Sequence, residues 1–463
     1  MSKTFDFLVI GAGPAGMSAA TVAAGLGVST VLVDEQPAPG GQIYRNVEAH
    51  AGDTRGVSVA DWQRGVTLVG EFRASGAIYR PGTQVWQLDA PRDGSCMVYV
   101  TDGEQADVLR ARRVLIATGA MERAVPISGW TLPGVMTVGA AQILYKTTGR
   151  ATQAGTWIAG SGPLLWLFAA QALEAGGKIE GILDTTPRIN YAQALRYAVP
   201  ALRNHAYLTR GLALQARVKR AGVPIVKDVG AIEAKGDGVL ARVRFRMRGQ
   251  WQEVQASTLL LHHGVVPSVH ATRSIHADHR WAPVQRCFVP VVDEWGNTSV
   301  DGYAAAGDGA GIVGAEASAR KGQLAGLEAA RALGTIDRAR RDERAAPVRV
   351  ELERHLPIRA FLDQLFTPRA GFFAPADDVL VCRCESVTAG RIREAIGLGA
   401  MGPNQMKAFT RCGMGPCQGR MCGLPAAEII ARERGMAMDE VGLFNVRPPL
   451  KPISLQELAA LPE

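Results

Sequence analysis

Short apolar runs separated by glycine-marked turns and alanine-rich stretches organise most of this chain. The first run, Phe5-Asp-Phe-Leu-Val-Ile10, leads into Gly11-Ala-Gly13-Pro14-Ala15-Gly16 and then a helix-forming, alanine-rich stretch. A second run, Ser29 to Val33, ends at Asp34-Glu35. Runs from Arg113 to Ala117, Thr156 to Ala159, Lys178 to Leu183 and Gly302 to Ala306 read as further strands. The order strand, glycines, helix, strand, acid predicts a Rossmann unit at the N-terminus, and Thr156 begins a second βαβ pattern. Arg242, Arg244, Arg246 and Arg248 alternate with Val243, Phe245 and Met247, the period of a strand with one solvated face. An exposed hairpin is expected there.

Length and charge narrow the classes. At 463 residues there is room for two or three domains with full cores. Apolar content of 47% with 20% charged residues suits a water-soluble globular chain. The net charge of +8 is spread along the sequence, without an aromatic-interleaved basic patch, so no nucleic acid is expected as partner. The N-terminal apolar run is broken at Asp6 and passes into glycines, which predicts a strand rather than a signal peptide. No membrane span is expected.

The glycines carry the first chemistry. Gly11 permits a tight turn, Gly13 lets backbone approach a pyrophosphate, and Gly16 lets helix and strand pack closely. The free N–H groups of the following helix favour phosphate. Asp34 is the favoured ribose acceptor, ahead of Glu35. In the second pattern, Gly160-Ser-Gly162-Pro-Leu-Leu165, a leucine stands where the third glycine belongs. That substitution makes NAD binding doubtful and disfavours NADP.

Five of the seven cysteines lie near the C-terminus: Cys382, Cys384, Cys412, Cys417 and Cys422. Soft thiolates at this density select an iron–sulfur cluster or zinc. Four suffice for a [2Fe–2S] cluster, which leaves one spare. The C-x-C pair departs from the usual zinc spacing. Arg383, Arg411 and Arg420 would offset the negative charge of cluster and thiolates. Thiols that must stay reduced predict a cytoplasmic location. Cys96 and Cys287 are isolated and expected to be small buried side chains. His262 and His263 are read as structural. No catalytic set emerges: there is neither a Ser-His-Asp arrangement nor a redox Cys-x-x-Cys.

Two further strings complete a resemblance. Ala117-Thr118-Gly119 and Gly302-Tyr-Ala-Ala-Ala-Gly307-Asp308 resemble motifs of two-dinucleotide-domain flavoproteins. The resemblance implies FAD, with Thr118 and Gly119 on the adenine side and Asp308 on the ribityl chain. The expected fold is α/β: an NAD-type Rossmann domain inserted in an FAD-binding Rossmann domain, plus a small helical [2Fe–2S] domain. The expected divisions are 1–150 and 269–336 for the FAD-binding domain and 151–268 for the inserted domain. A linker over 337–376 with one helix near Val350 to Leu365, a cluster domain over 377–430 and a tail over 431–463 complete the expected organisation.

Cys382-Arg-Cys384-Glu with the later Gly-Met-Gly-Pro-Cys417-Gln-Gly-Arg-Met-Cys422 resembles the bacterioferritin-associated-ferredoxin type of [2Fe–2S] domain. That resemblance implies Cys382, Cys384, Cys417 and Cys422 as ligands, with Cys412 the alternate. Val33-Asp-Glu-Gln-Pro-Ala-Pro-Gly-Gly41-Gln42-Ile-Tyr-Arg45 and Pro126-Ile-Ser-Gly-Trp-Thr-Leu-Pro-Gly-Val-Met136 are similar to the α-type flavoprotein subunit of heteromeric amine and amino-acid dehydrogenases. The family implies an electron-transferring subunit in which Gly41, Gln42 and Arg45 belong to the FAD site. It implies a D-amino-acid-oxidase-type partner that oxidises an opine, hydroxyproline, glycine or similar amine. A small ferredoxin-like subunit, an FMN at the subunit interface and a downstream electron acceptor accompany it in the group. The competing expectation is a stand-alone NAD(P)H-dependent reductase of a ferredoxin-like partner.

Overall fold

The N-terminal strand Thr4–Ile10 sits at the centre of a seven-stranded sheet, in a computed structural model that describes residues 4–49, 59–91 and 93–461. Thr30–Val33 and Ala106–Ile116 flank it in parallel register, Phe7 against Thr30 and Arg113. Tyr303–Ala305 joins the far side of Ala106–Ile116, so residues from three distant stretches end side by side. The central strands are buried on both faces, as their unbroken Val, Leu and Ile content requires.

Two helices fix the geometry at the strand ends. Pro14–Gly25 starts with proline in its first turn, where no N–H is needed. Ala315–Ala332 packs directly on it because Gly322 and Gly326 have no side chain. A Cβ at Gly322 would stand 2.0 Å from the Ala15 carbonyl oxygen, and one at Gly326 would stand 2.6 Å from that of Ala19. This contact sets both helix N-termini at the same crevice.

The inserted domain is a five-stranded parallel sheet in the order Ile225–Lys227, Gly181–Asp184, Thr156–Gly160, Thr258–His262, Val135–Thr137. The hairpin Arg242–Met247 with Gln250–Gln255 turns at Arg248-Gly249, and Val243 and Phe245 face inward as the alternation predicts. The antiparallel pair Ala120–Glu122 and Val265–Pro267 connects this domain to the first.

Residues 337–376 differ from the expected linker. They form two helices, Arg338–His355 and Pro357–Leu365, and a short 3-10 turn at Ala370–Phe373. The first begins at Asp337, whose carboxylate accepts from Arg340 N at 2.8 Å, and continues through Pro347. Arg341 fastens it to the Ala315–Ala332 helix through Glu328 at 2.6 Å and stacks on Trp295 at 3.8 Å.

The C-terminal unit opens with the short pair Leu380–Cys382 and Val387–Thr388. Helices Ala389–Gly397, Pro403–Thr410 and Gly423–Arg434 surround a core of Ile392, Met406 and Ile430. Gly402 takes the N-cap position of the second helix, and Asn404 lies inside it. The Asn404 side chain accepts from Asn445 N at 2.8 Å, tying the helix to the following chain. The last segment folds back over the first domain, with Leu450 N donating to the Trp86 carbonyl at 2.6 Å. No helix among the described residues is long and apolar enough to cross a membrane.

Candidate flavin crevice and cysteine centre

The first crevice is assembled around glycines, of which Gly11 and Gly16 admit nothing larger. Gly11 has φ +106°, and a Cβ there would stand 2.5 Å from the Ala117 carbonyl oxygen. A Cβ on Gly16 would meet the Gly11 carbonyl oxygen at 1.8 Å. Gly13, between them, meets only Gly41 Cα at 4.0 Å, so its backbone faces open space. Gly307 lies over Ala15, and Gly309 lies 3.3 Å, measured from its built Cβ, from the backbone of Gly119. Thr118 donates its hydroxyl to the Ser268 carbonyl at 3.1 Å. The three sequence pieces therefore converge on one place.

The acids divide the work between them. Asp34 turns inward and accepts from Ala12 N and Gln36 N at 2.5 and 2.7 Å. Burial raises its pKa, against those hydrogen bonds and the nearby Arg45. Glu35 points outward and pairs with Lys451. Arg45 bonds Gln36 and Gln42 at 2.7 and 3.2 Å, holding the loop that carries Gly41. Asp308 accepts from Val313 N and Gly314 N, both at 2.8 Å, just before the Ala315–Ala332 helix. Lys146, which no sequence pattern singles out, donates to the carbonyls of Gln42 and Ile43 at 3.0 and 2.9 Å. Burial lowers its pKa to about 8.

In the inserted domain an imidazole lies against the corresponding glycine turn. A Cβ on Gly162 would meet His262 Nε2 at 2.8 Å, so the imidazole occupies the space above the glycine turn. Glu122 fixes that ring through Nδ1 at 2.7 Å, and its second oxygen accepts from Gly139 N at 2.7 Å. Leu165 is buried in the core at the third glycine position. Asp184 is buried and accepts from Thr186 N at 3.0 Å.

All five C-terminal cysteines come together, in two groups. The sulfurs of Cys382, Cys412 and Cys422 lie within 4.8 Å of one another, all buried. Cys384 and Cys417 are in hydrogen-bond contact nearer the surface. Hydrogen bonds from Cys412 and Cys422 pull the Cys382 thiol well below its ordinary range. Such a set of soft donors fits a metal or cluster. Cys96 and Cys287 stand apart, both buried, and burial pushes each thiol up to about 11.

The cysteine loop is held from outside. His270 Nε2 lies 3.0 Å from the Gln418 carbonyl. Arg420 donates to the Cys417 and Leu450 carbonyls at 3.2 and 2.8 Å. Trp130 Nε1 donates to the Leu380 carbonyl at 2.7 Å, two residues before Cys382. The His270 and Trp130 contacts place the cysteine centre against the preceding domains.

The chain is similar to known oxidoreductases. The family model described as pyridine nucleotide-disulphide oxidoreductase matches residues 5–334, and that of the sarcosine oxidase A3 domain matches 378–461. An opine oxidase subunit of Rhizobium meliloti is 41% identical, over 100% of this chain and 88% of its own. Hydrogen cyanide synthase subunit HcnB of Pseudomonas aeruginosa is 32% identical over 96% of each. The solved L-proline dehydrogenase from P. horikoshii superposes with a TM-score of 0.73 at 19% identity, covering 99% of this chain and 80% of that one. This last likeness speaks to the fold alone.

Proposed function

The chain belongs to the pyridine nucleotide-disulphide oxidoreductase family and is an FAD-dependent oxidoreductase, and from that premise we propose that it is the electron-transferring subunit of a heteromeric amine or amino-acid dehydrogenase. The observation that carries this reading is the convergence of Gly13, Gly41, Gly119 and Gly309 at two helix N-termini, with five thiols gathered in the adjoining unit. The names of the relatives, both of them subunits, support the heteromeric part.

Gly11, Gly13, Pro14, Ala15 and Gly16 would hold the pyrophosphate of FAD, and Asp34 the adenosine ribose, with Glu35 left to its ion pair. Gly41, Gln42 and Arg45 would close the loop over it. Thr118, Gly119, Gly307 and Asp308 would line the remainder. Bound FAD supplies an acceptor for an electron pair that can release electrons singly. The chain's own task is to exclude water and to hold the dipole of the Ala315–Ala332 helix toward negative charge.

A [2Fe–2S] cluster is the reading that best uses the thiols. Cys382 and Cys422, from the buried trio, would hold one iron and the outer Cys384 and Cys417 the other. Cys412 remains beside the buried pair as the alternate ligand. The substrate is taken by a D-amino-acid-oxidase-type partner, with a small ferredoxin-like subunit, an FMN at the interface and a downstream acceptor completing the complex. The imidazole over Gly162 and the leucine at position 165 speak against NADH as reductant.

Flavin and metal analysis of the purified chain tests the assignment. FAD together with equal amounts of iron and acid-labile sulfide is expected. Zinc without sulfide would overturn the cluster, and a chain without flavin would overturn the function.

A further inference from the structure

The segment from Arg188 to Leu202 is helical throughout, as Arg188–Ala194, the 3-10 turn Leu195–Tyr197 and Ala198–Leu202. Its amphipathicity is inverted. Tyr191, Leu195, Val199 and Leu202 recur at helical spacing and form one stripe. They are 49, 68, 72 and 63% exposed. The side chains turned inward are small or polar: Ala194 and Ala201 are fully buried, and Asn190 donates to the Leu365 and Thr367 carbonyls. The next helix, His205–Arg220, continues the surface, with Leu212 66% exposed and Val218 its one buried residue. A water-facing surface usually shows the opposite pattern, and contiguous exposed apolar groups mark a contact site.

The segment that forms this surface carries charge of one sign, met by acids from neighbouring elements at Asp61, Glu174 and Asp228. Residues 185–227 contain eight lysines and arginines and no aspartate or glutamate. Some of these cations are paired from neighbouring elements, as Arg210 is to Asp61. Arg203, Lys219 and Arg220 have no acidic partner among the described residues. The surface also borders the flavin crevice. Tyr207 bonds His355 at 2.9 Å, and Arg64, on the helix that pairs with Arg210, reaches Glu316 in the first turn of the Ala315–Ala332 helix at 3.5 Å.

We propose that the helical surface 188–212 is the seat of the substrate-oxidising partner, which meets it with an apolar centre ringed by carboxylates. The inference rests on the reading of this chain as one subunit of a complex. An apolar centre with a charged rim is the general anatomy of such interfaces. Cations on this side and anions on the partner would steer the two together with the partner beside the crevice mouth.

The test is recovery of the native complex through a tag on this chain, with the unmodified chain and with Leu195→Glu/Val199→Glu in parallel. The unmodified chain is expected to bring down a second flavin-containing polypeptide in fixed ratio. The double variant is expected to lose that polypeptide at least ~tenfold, as central interface positions do, while keeping its own flavin and iron. Equal recovery with both chains would overturn the docking surface and leave the heteromeric reading intact. No flavoprotein with the unmodified chain would sink the heteromeric reading itself. Amide exchange on the unmodified complex gives a second measurement that needs no variant. Slowed exchange over 188–212 in the complex, relative to the free chain, is expected. Protection of the free chain through its own dimer, or only on phosphatidylglycerol vesicles, would instead assign the surface to a second copy or to lipid and overturn the proposal.

Discussion

At Asp308 one carboxylate oxygen accepts from two backbone N–H groups, which places the side chain at the threshold of the Ala315–Ala332 helix. Asp308→Ala is expected to lower the flavin retained per chain after dialysis and to cost roughly 1–3 kcal/mol in stability, as the loss of backbone hydrogen bonds to a charged acceptor does. Unchanged flavin would show that the carboxylate serves the helix alone. Cys412→Ser is expected to keep iron and sulfide while Cys417→Ser loses them, and metal analysis with paramagnetic resonance decides. The reverse result would make the three buried thiols the true ligands. His263 is buried against Phe372, with no hydrogen-bond partner at either ring nitrogen among the described residues. Burial lowers its pKa from 6.5 to about 3. The unfolded chain binds the proton more readily, so the stability this neutral ring contributes is full above pH 6.5 and is lost as pH falls toward 3. His263→Phe is expected to leave or raise the melting temperature at pH 7 and to flatten its fall in acid. A lower melting temperature at pH 7 with the same acid slope would contradict this.

Among the elements, the helix pair Pro14–Gly25 and Ala315–Ala332 bears most of the positioning. Gly322→Val would drive side-chain atoms into the Ala15 carbonyl, 2.0 Å from the ideal Cβ position. A loss of roughly 1–3 kcal/mol or more is expected, as overpacking costs, together with weaker flavin binding because the two N-termini would separate. A denaturation midpoint equal to wild type would refute the close contact. The nucleotide pieces were legible in the sequence because backbone geometry dictates them: Gly11 and Gly16 are there since any Cβ would clash. The cysteine unit was legible because ligand chemistry restricts residue type. The helix Arg338–His355 was not, since a proline at 347 and dense charge conceal a helix that Glu328 and Trp295 hold in place.

For the whole molecule, the inserted domain keeps its sheet while His262, a side chain 100 residues distant from Gly162 in sequence, lies against its glycine turn. Leu165 signalled the altered turn, and the imidazole could be found only in three dimensions. The apolar stripe of Tyr191, Leu195, Val199 and Leu202 carries the spacing of a core-facing helix, and nothing local says that it faces outward. Lys146 likewise owes its place to the packing of a distant helix on the Gln42 loop. The fold brings a flavin crevice, a cysteine centre and an exposed apolar stripe onto one chain, the arrangement the proposed electron-receiving subunit needs. The most direct test is an anaerobic titration of the intact complex, following flavin absorbance and the paramagnetic signal of the cluster proposed for the cysteine centre. Addition of a secondary-amine amino acid of the opine type is expected to reduce both centres of this chain, while NADH leaves them oxidised. Rapid reduction of the isolated chain by NADH alone would contradict the account and establish a stand-alone reductase.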